Sequence, residues 1–134
     1  MADRPRVHGI GGVFFKADDP DALAKWYADH LDVGGEGWGG HIFNWKRADT
    51  GDDAMTVWSP FKASTEYFLP SEKAYMVNLR VDDLDGTLKA LRSEGCNVLE
   101  RYESNEQGKF GYVLDPEGGL VELWEPPAAE PGAP

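Results

Sequence analysis

Val13-Phe14-Phe15-Lys16-Ala17-Asp18-Asp19-Pro20-Asp21 returns, in pattern, as Val77-Asn78-Leu79-Arg80-Val81-Asp82-Asp83-Leu84-Asp85. Each copy is a short apolar run that ends in an Asp-Asp-x-Asp step, and an internal repeat constrains architecture more firmly than local propensity does. In the first copy Asp19 suits an N-cap and Pro20 the first helical position, while Leu23, Trp26, Tyr27, His30 and Leu31 recur at helical spacing. In the second copy Leu84, Leu88 and Leu91 form the apolar stripe, and Gly95 stands where a helix-ending glycine belongs. Two equivalent strand-helix units follow.

The repeat extends to the end of each half, where Thr56-Val57-Trp58-Ser59-Pro60 aligns with Glu122-Leu123-Trp124-Glu125-Pro126. Further strand-like runs lie at His41 to Arg47, Asn97 to Tyr102 and Phe110 to Leu114. Each half therefore reads βαβββ, an α+β fold with modules at about residues 10–67 and 74–126 of one domain spanning 8–126. Residues 127–134 form a Pro/Ala-rich tail too poor in apolar residues to pack, expected to be mobile.

Strand alternation predicts which side chains face the helices. Val13, Phe15 and Ala17, with Val77, Leu79 and Val81, are expected beneath them, as are Met55, Val57, Val121 and Leu123. The opposite faces should line a cleft, with Gly12, Phe14 and Lys16, then Met76, Asn78 and Arg80, then Ala54, Thr56 and Trp58, and finally Leu120, Glu122 and Trp124. His41, Phe43 and Trp45 share one face of their strand and are expected to join that cleft.

Bulk composition narrows the partners. The 134 residues carry 13 basic against 24 acidic side chains, a net charge of −11 that repels phosphate backbones and anionic lipid, so neither nucleic acid nor a membrane is an expected partner. The opening MADRPRVHG lacks the apolar stretch of a secretory leader, and the single cysteine, Cys96, forms no internal disulfide. A cytoplasmic setting is expected, with Cys96 a buried structural thiol. Five Trp and 12% aromatic residues leave ring surface to spare for a pocket or partner.

Paired βαβββ modules, a helix entered by Asp-Asp-Pro that carries Trp26-Tyr27, and the closing run Leu114-Asp115-Pro116-Glu117-Gly118-Gly119-Leu120-Val121-Glu122-Leu123-Trp124 together resemble the vicinal oxygen chelate superfamily. That group includes glyoxalase I, extradiol dioxygenases, fosfomycin-resistance transferases and bleomycin-resistance proteins. The resemblance spans roughly Ile10 to Pro126 and implies two modules paired around a small-molecule cleft. Its metal-dependent branches hold a divalent ion through His or Gln and Glu at positions that fall here on Gly12, Thr56, Met76 and Glu122. Only Glu122 supplies a strong oxygen ligand, so no metal site and no cofactor are expected.

Glu122, among aromatic neighbours in the cleft, is the candidate general base, and His41 the best-placed histidine to assist it. His8 precedes the expected first strand, and His30 complements the C-terminal dipole of its helix. Phe14, Phe43, Trp45, Trp58 and Trp124 offer stacking surfaces, with Lys16, Asn78 and Arg80 as polar anchors; packing between modules or at a dimer interface would use the same residues. Gly34 to Gly40 reads as a flexible loop over the cleft, since it lacks the strand, Lys and helix entry of a phosphate loop.

Two functions remain open. One is a metal-independent protein, resembling the bleomycin-resistance branch, that binds a flat or amphipathic small molecule. The other is a glyoxalase-type lyase or isomerase acting on a small carbonyl compound, with Glu122 as base and His41, Arg80 or Lys16 assisting. An interaction module is a third, lesser reading, and a homodimer is expected in every case.

Overall fold

The computed structural model describes residues 6–128. Its elements, in chain order, are β1 (Val7–Ala17), α1 (Pro20–Leu31), β2 (His41–Lys46), β3 (Asp53–Lys62), β4 (Tyr75–Val81), α2 (Leu84–Ser93), β5 (Asn97–Asn105), β6 (Gly108–Leu114) and β7 (Leu120–Glu125). One seven-stranded sheet runs β2-β3-β1-β4-β7-β6-β5. The modules meet edge to edge through antiparallel β1 and β4, and each opening strand lies parallel to its own closing strand, β1 with β3 and β4 with β7.

This is the α+β fold expected from the repeat, with one difference. The first module contributes three strands and the second four, because Gly34 to Gly40 forms a loop where the second module has an outer strand. Positive φ at Gly34, Gly35, Gly37 and Gly39 accounts for this, since alternating left-handed residues cannot hold an extended ladder. The loop is tied back by the Gly34 N–H, which donates to His41 Nδ1 at 3.0 Å, and none of its residues lines the cavities described below. It is not a cover for the cleft. Of the expected tail, residues 129–134 lie outside the described chain.

Both helices begin as the sequence predicts. Asp19 accepts from the Ala22 N–H at 3.1 Å ahead of Pro20, and Asp83 accepts from Gly86 at 3.0 Å. Glu125 adds a second cap to α2 by accepting from the Leu84 N–H at 2.9 Å, which ties the last strand to the helix it covers. Leu84 and Leu88 of α2 then pack on Val81 and Leu123 in a buried cluster. Helix α1 buries no residue fully and rests on the sheet through Tyr27, whose ring lies 4.6 Å from that of Trp58. Cys96, expected to be buried, is exposed just beyond α2.

A second core fills one end of the concave face. Phe68, Met76, Tyr112 and Leu120 are all buried there, with Phe14, Phe61 and Tyr67 packed against them. Phe68 and Tyr67 belong to the connection between β3 and β4, so that connection plugs the cleft at this end.

At the other end His8, which lies inside β1 and not before it, is a half-buried partner of Arg80. Arg80 Nε donates to His8 Nε2 at 3.0 Å, which requires that nitrogen to be unprotonated, while His8 Nδ1 faces Asp82 at 3.4 Å. Arg47 clamps Asp82 and Asp49 nearby, at 2.7 Å to each. Burial, and secondly the Arg47 charge, hold the His8 pKa below its usual 6.5. The unfolded chain therefore takes up a proton near pH 6.5 that the folded chain refuses until lower pH, so this group stabilises the fold fully above that pH and progressively less below it. The urea midpoint should fall between pH 7 and pH 5.5, and His8→Gln should flatten the slope in that window; equal slopes would contradict the His8 assignment.

Candidate functional site

The strand register fixes the centre of the concave face. Gly12 sits opposite Asn78 across the module junction, Val57 lies beside Gly12, and Glu122 lies beside Asn78. The face thus carries Phe14 and Lys16, Met76, Asn78 and Arg80, and Leu120, Glu122 and Trp124, as the alternation predicts.

For β3 the expectation is off by one residue. Val57, not Thr56, occupies the place that Glu122 holds in the second module, so Met55 and Val57 face the cleft. Trp58 instead packs under α1, between Tyr27 and Phe15. Strand β2 follows β3, pairing His41 with Trp58 and Phe43 with Thr56, so His41 and Phe43 also face outward, their rings 4.6 Å apart. Ile42 reaches the cleft in their stead. Trp45 starts on the outer side, but its ring lies against Gly9 and 5.6 Å from the Arg80 guanidinium, at the end of the sheet.

A cavity of ≈ 450 Å³ opens on the concave face between the plug and Trp124. Its walls include Phe14, Ile42, Met55, Val57, Phe110 and Trp124, and its polar residues are Tyr67, Asn78, Gln107 and Glu122. Phe110 and Trp124 lie parallel, with ring centres 6.1 Å apart, and Trp124 Nε1 donates to the Gln107 carbonyl at 2.8 Å, which anchors the β5–β6 turn as a side wall. The Arg80 guanidinium lies 5.1 Å from the Trp124 ring, beside a second, more polar hollow of ≈ 950 Å³ lined by His8, Trp45 and Arg47. Lys16 lies outside both spaces, 5.8 Å from the ring of the buried Phe68.

Glu122 is buried and held by three donors. Asn78 Nδ2 donates to its Oε1 at 2.7 Å, while the hydroxyls of Tyr112, at 2.7 Å, and Tyr67 both donate to Oε2. The two hydroxyls also lie 3.0 Å apart. Burial, and after it the Glu122 charge, push both tyrosines well above the ordinary phenol range, so they stay protonated and serve as donors. Arg101, on β5, lies over both rings at 4.4 and 4.1 Å and donates to the Tyr67 carbonyl at 3.0 Å. Neither tyrosine stands out in the sequence, because each reads there as an ordinary core aromatic.

Asn78 is oriented by this network. A carboxylate only accepts, so Nδ2 must face Glu122 and Oδ1 must face the other way. Oδ1 lies over Gly11, 2.3 Å from where a Cβ would stand, and has no partner among the described residues. Gly11 lines the same cavity.

By register the metal-binding pattern of the wider superfamily falls on Gly12, Val57, Asn78 and Glu122, which corrects Thr56 to Val57 and Met76 to Asn78, since Asn78 is the residue that pairs with both Gly12 and Glu122 while Met76 pairs with Phe14. Glycine and valine donate nothing, one asparagine oxygen is a weak ligand, and three hydrogen bonds already occupy the Glu122 oxygens. These residues do not fit a divalent cation.

Fold and closing motif together define a vicinal oxygen chelate protein, and the chain belongs to the glyoxalase-like domain family, whose profile matches residues 12–124. Similar solved structures include methylmalonyl-CoA epimerase from Mycobacterium tuberculosis, 21% identical, with 95% of this chain and 93% of that one covered and a TM-score of 0.56. A Streptomyces coelicolor methylmalonyl-CoA epimerase variant in complex with 2-nitronate-propionyl-CoA is 16% identical over 92% and 100% of the chains, with a TM-score of 0.64. A glyoxalase/bleomycin resistance protein/dioxygenase superfamily member from Vibrio splendidus 12B01 is 18% identical over 90% and 98%, with a TM-score of 0.52. At these identities the likeness is one of fold. A comparison with curated protein sequences gave no match. No helix among the described residues is long and apolar enough to cross a membrane.

Proposed function

We propose that this chain binds a flat, largely apolar small molecule between Phe14, Phe110 and Trp124, without a metal, in the manner of the bleomycin-resistance branch. The observation that carries the reading is the state of Glu122. Its carboxylate accepts from Asn78, Tyr67 and Tyr112, and a base so occupied would have to break a charge-assisted hydrogen bond before taking a substrate proton. The network instead builds a rigid floor under an aromatic cavity.

Binding of this kind survives the loss of the charge. Glu122→Gln should keep the affinity for a planar probe such as 2-naphthol within about threefold by calorimetric titration, since Gln still accepts from Asn78 and donates to a tyrosine. Loss of all binding in a folded Glu122→Gln variant would overturn the reading.

The second reading, a lyase or isomerase acting on a small carbonyl compound, draws on the fold shared with epimerases and on the position of Glu122 at the cavity wall. It loses His41, which faces outward, and Lys16, which lies beyond the plug. Turnover of methylglyoxal hemithioacetal with nickel, zinc, manganese or iron supplied would establish it; none is expected.

A homodimer in a cytoplasmic setting belongs to the same proposal. The outer face of β1 and β4 between the helices leaves Ile10, Val13 and Tyr75 exposed, an apolar strip suited to a second copy.

A further inference from the structure

Resting on that reading of the cavity, we propose that Arg80 is a positioning residue for the Trp124 wall and that His8 controls it, so that the cavity holds its ligand while His8 is neutral and loosens its hold when His8 gains a proton. The chain of contacts is continuous. His8 Nε2 accepts from Arg80 Nε at 3.0 Å, the Arg80 guanidinium lies 5.1 Å from the Trp124 ring, and Trp124 lines the cavity. Arg80 is only 2% exposed and lies 5.6 Å from the Trp45 ring as well, so it cannot shift without disturbing one indole or the other. Gly11 shows how close the fit is, since a Cβ there would stand 2.9 Å from Arg80 Cγ and 2.8 Å from Trp124 Cε3.

Protonation acts on the first of these contacts. A neutral imidazole accepts at one ring nitrogen, whereas an imidazolium donates at both, so a protonated His8 would turn an N–H toward the Arg80 N–H and set two cations side by side. The neighbouring charges do not remove that conflict. Asp82 faces His8 Nδ1 at 3.4 Å but is clamped, with Asp49, by Arg47, whose hydrogen bonds hold both carboxyls below the usual range and whose own charge opposes a second cation. Asp52, Asp53 and Glu125 complete the charged lining of the hollow beside His8. Trp124 keeps its stack on Phe110 and its bond to the Gln107 carbonyl, so the wall is loosened on one side and the effect on binding is graded.

Calorimetric titration of the full chain with 2-naphthol at pH 7.5 and pH 5 tests this, because the probe, like a tyrosine, loses its proton only near about pH 10 and stays neutral throughout. The wild type should bind at least about fivefold more weakly at pH 5, the low end of the usual coupling between two linked sites. His8→Gln, whose amide oxygen can accept from Arg80 and does not titrate, should bind equally at both values. The Trp124 indole N–H resonance, assigned by its absence in Trp124→Phe, should move with the His8 ring titration in the wild type and stay still in His8→Gln. Thermal melts at both pH values establish that each protein is folded. Equal wild-type affinity at the two values overturns the coupling while leaving the cavity reading intact. A loss that persists in folded His8→Gln overturns the role of His8, and an indole resonance that ignores the His8 titration overturns Arg80 and Trp124 as the link. No binding at pH 7.5 at millimolar probe overturns the cavity reading and the coupling with it.

Discussion

Glu122→Leu is expected to lower folding stability by about 4 kcal/mol, because it strands the Asn78 amide and the Tyr67 and Tyr112 hydroxyls, each an interior donor that costs about 1–3 kcal/mol when unpaired. Part of the loss is offset by the apolar leucine. For a domain of this size the melting temperature should drop by more than roughly 10 °C. The conservative Glu122→Gln should cost about 1 kcal/mol, since two of the three contacts can re-form. The contrast between the two variants is the informative quantity. A leucine variant as stable as the glutamine variant would mean that the three donors do not converge on this carboxylate.

Phe68→Ala should be nearly as damaging, by about 3–5 kcal/mol, the usual cost of emptying a buried phenylalanine site. The ring is fully buried against Met76, Tyr112 and Leu120, and Phe61 leans on it at 5.3 Å between ring centres. Its loss would also loosen Tyr67, the next residue along, and so open the plugged end of the cleft toward the cavity. Urea unfolding should show a lower midpoint with an unchanged slope, and Phe68→Leu should recover most of the loss. A shift under 1 kcal/mol for the alanine variant would show that the connection between β3 and β4 does not plug the cleft.

Much of the fold was legible because the repeat states it twice. The Asp-Asp-x-Asp steps place both helix starts, and the Asp19 and Asp83 caps form as those steps imply. The second module was read correctly down to the facing of Asn78, Arg80, Glu122 and Trp124 because Leu-Val-Glu-Leu-Trp sets a charged residue against apolar neighbours. The first module gives no such contrast. In Ala54-Met55-Thr56-Val57-Trp58 both parities carry apolar residues, so alternation cannot choose between them.

The choice is made by packing. Trp58 fills the space beneath a helix that buries none of its own residues fully, and that sends Met55 and Val57 to the cleft. His41 and Phe43 then follow Trp58 and Thr56 outward through the β2–β3 register. The missing eighth strand was foreshadowed by the glycines of Gly34 to Gly40, although the repeat alone argues for it.

Of the residues that line the cavity, Phe14, Asn78, Glu122 and Trp124 were singled out from the sequence as cleft-facing. Tyr67, Phe68, Tyr112 and Arg101 were not. Tyr67 and Phe68 lie on a connection without periodicity, and Tyr112 and Arg101 sit on strands where their types are ordinary. What gives the two tyrosines significance is their convergence on one buried carboxylate, with Arg101 over both rings and Phe68 packed beside Tyr112, which strand order alone cannot reveal.

Calorimetric titration of 2-naphthol, carried out once in excess EDTA and once with nickel, zinc, manganese or iron at saturation, tests the central claim most directly. The same affinity and stoichiometry in every condition is the predicted result, since three protein donors already occupy the Glu122 oxygens. Binding that appears only when a metal is supplied would contradict it and return Glu122 to the role of a ligand.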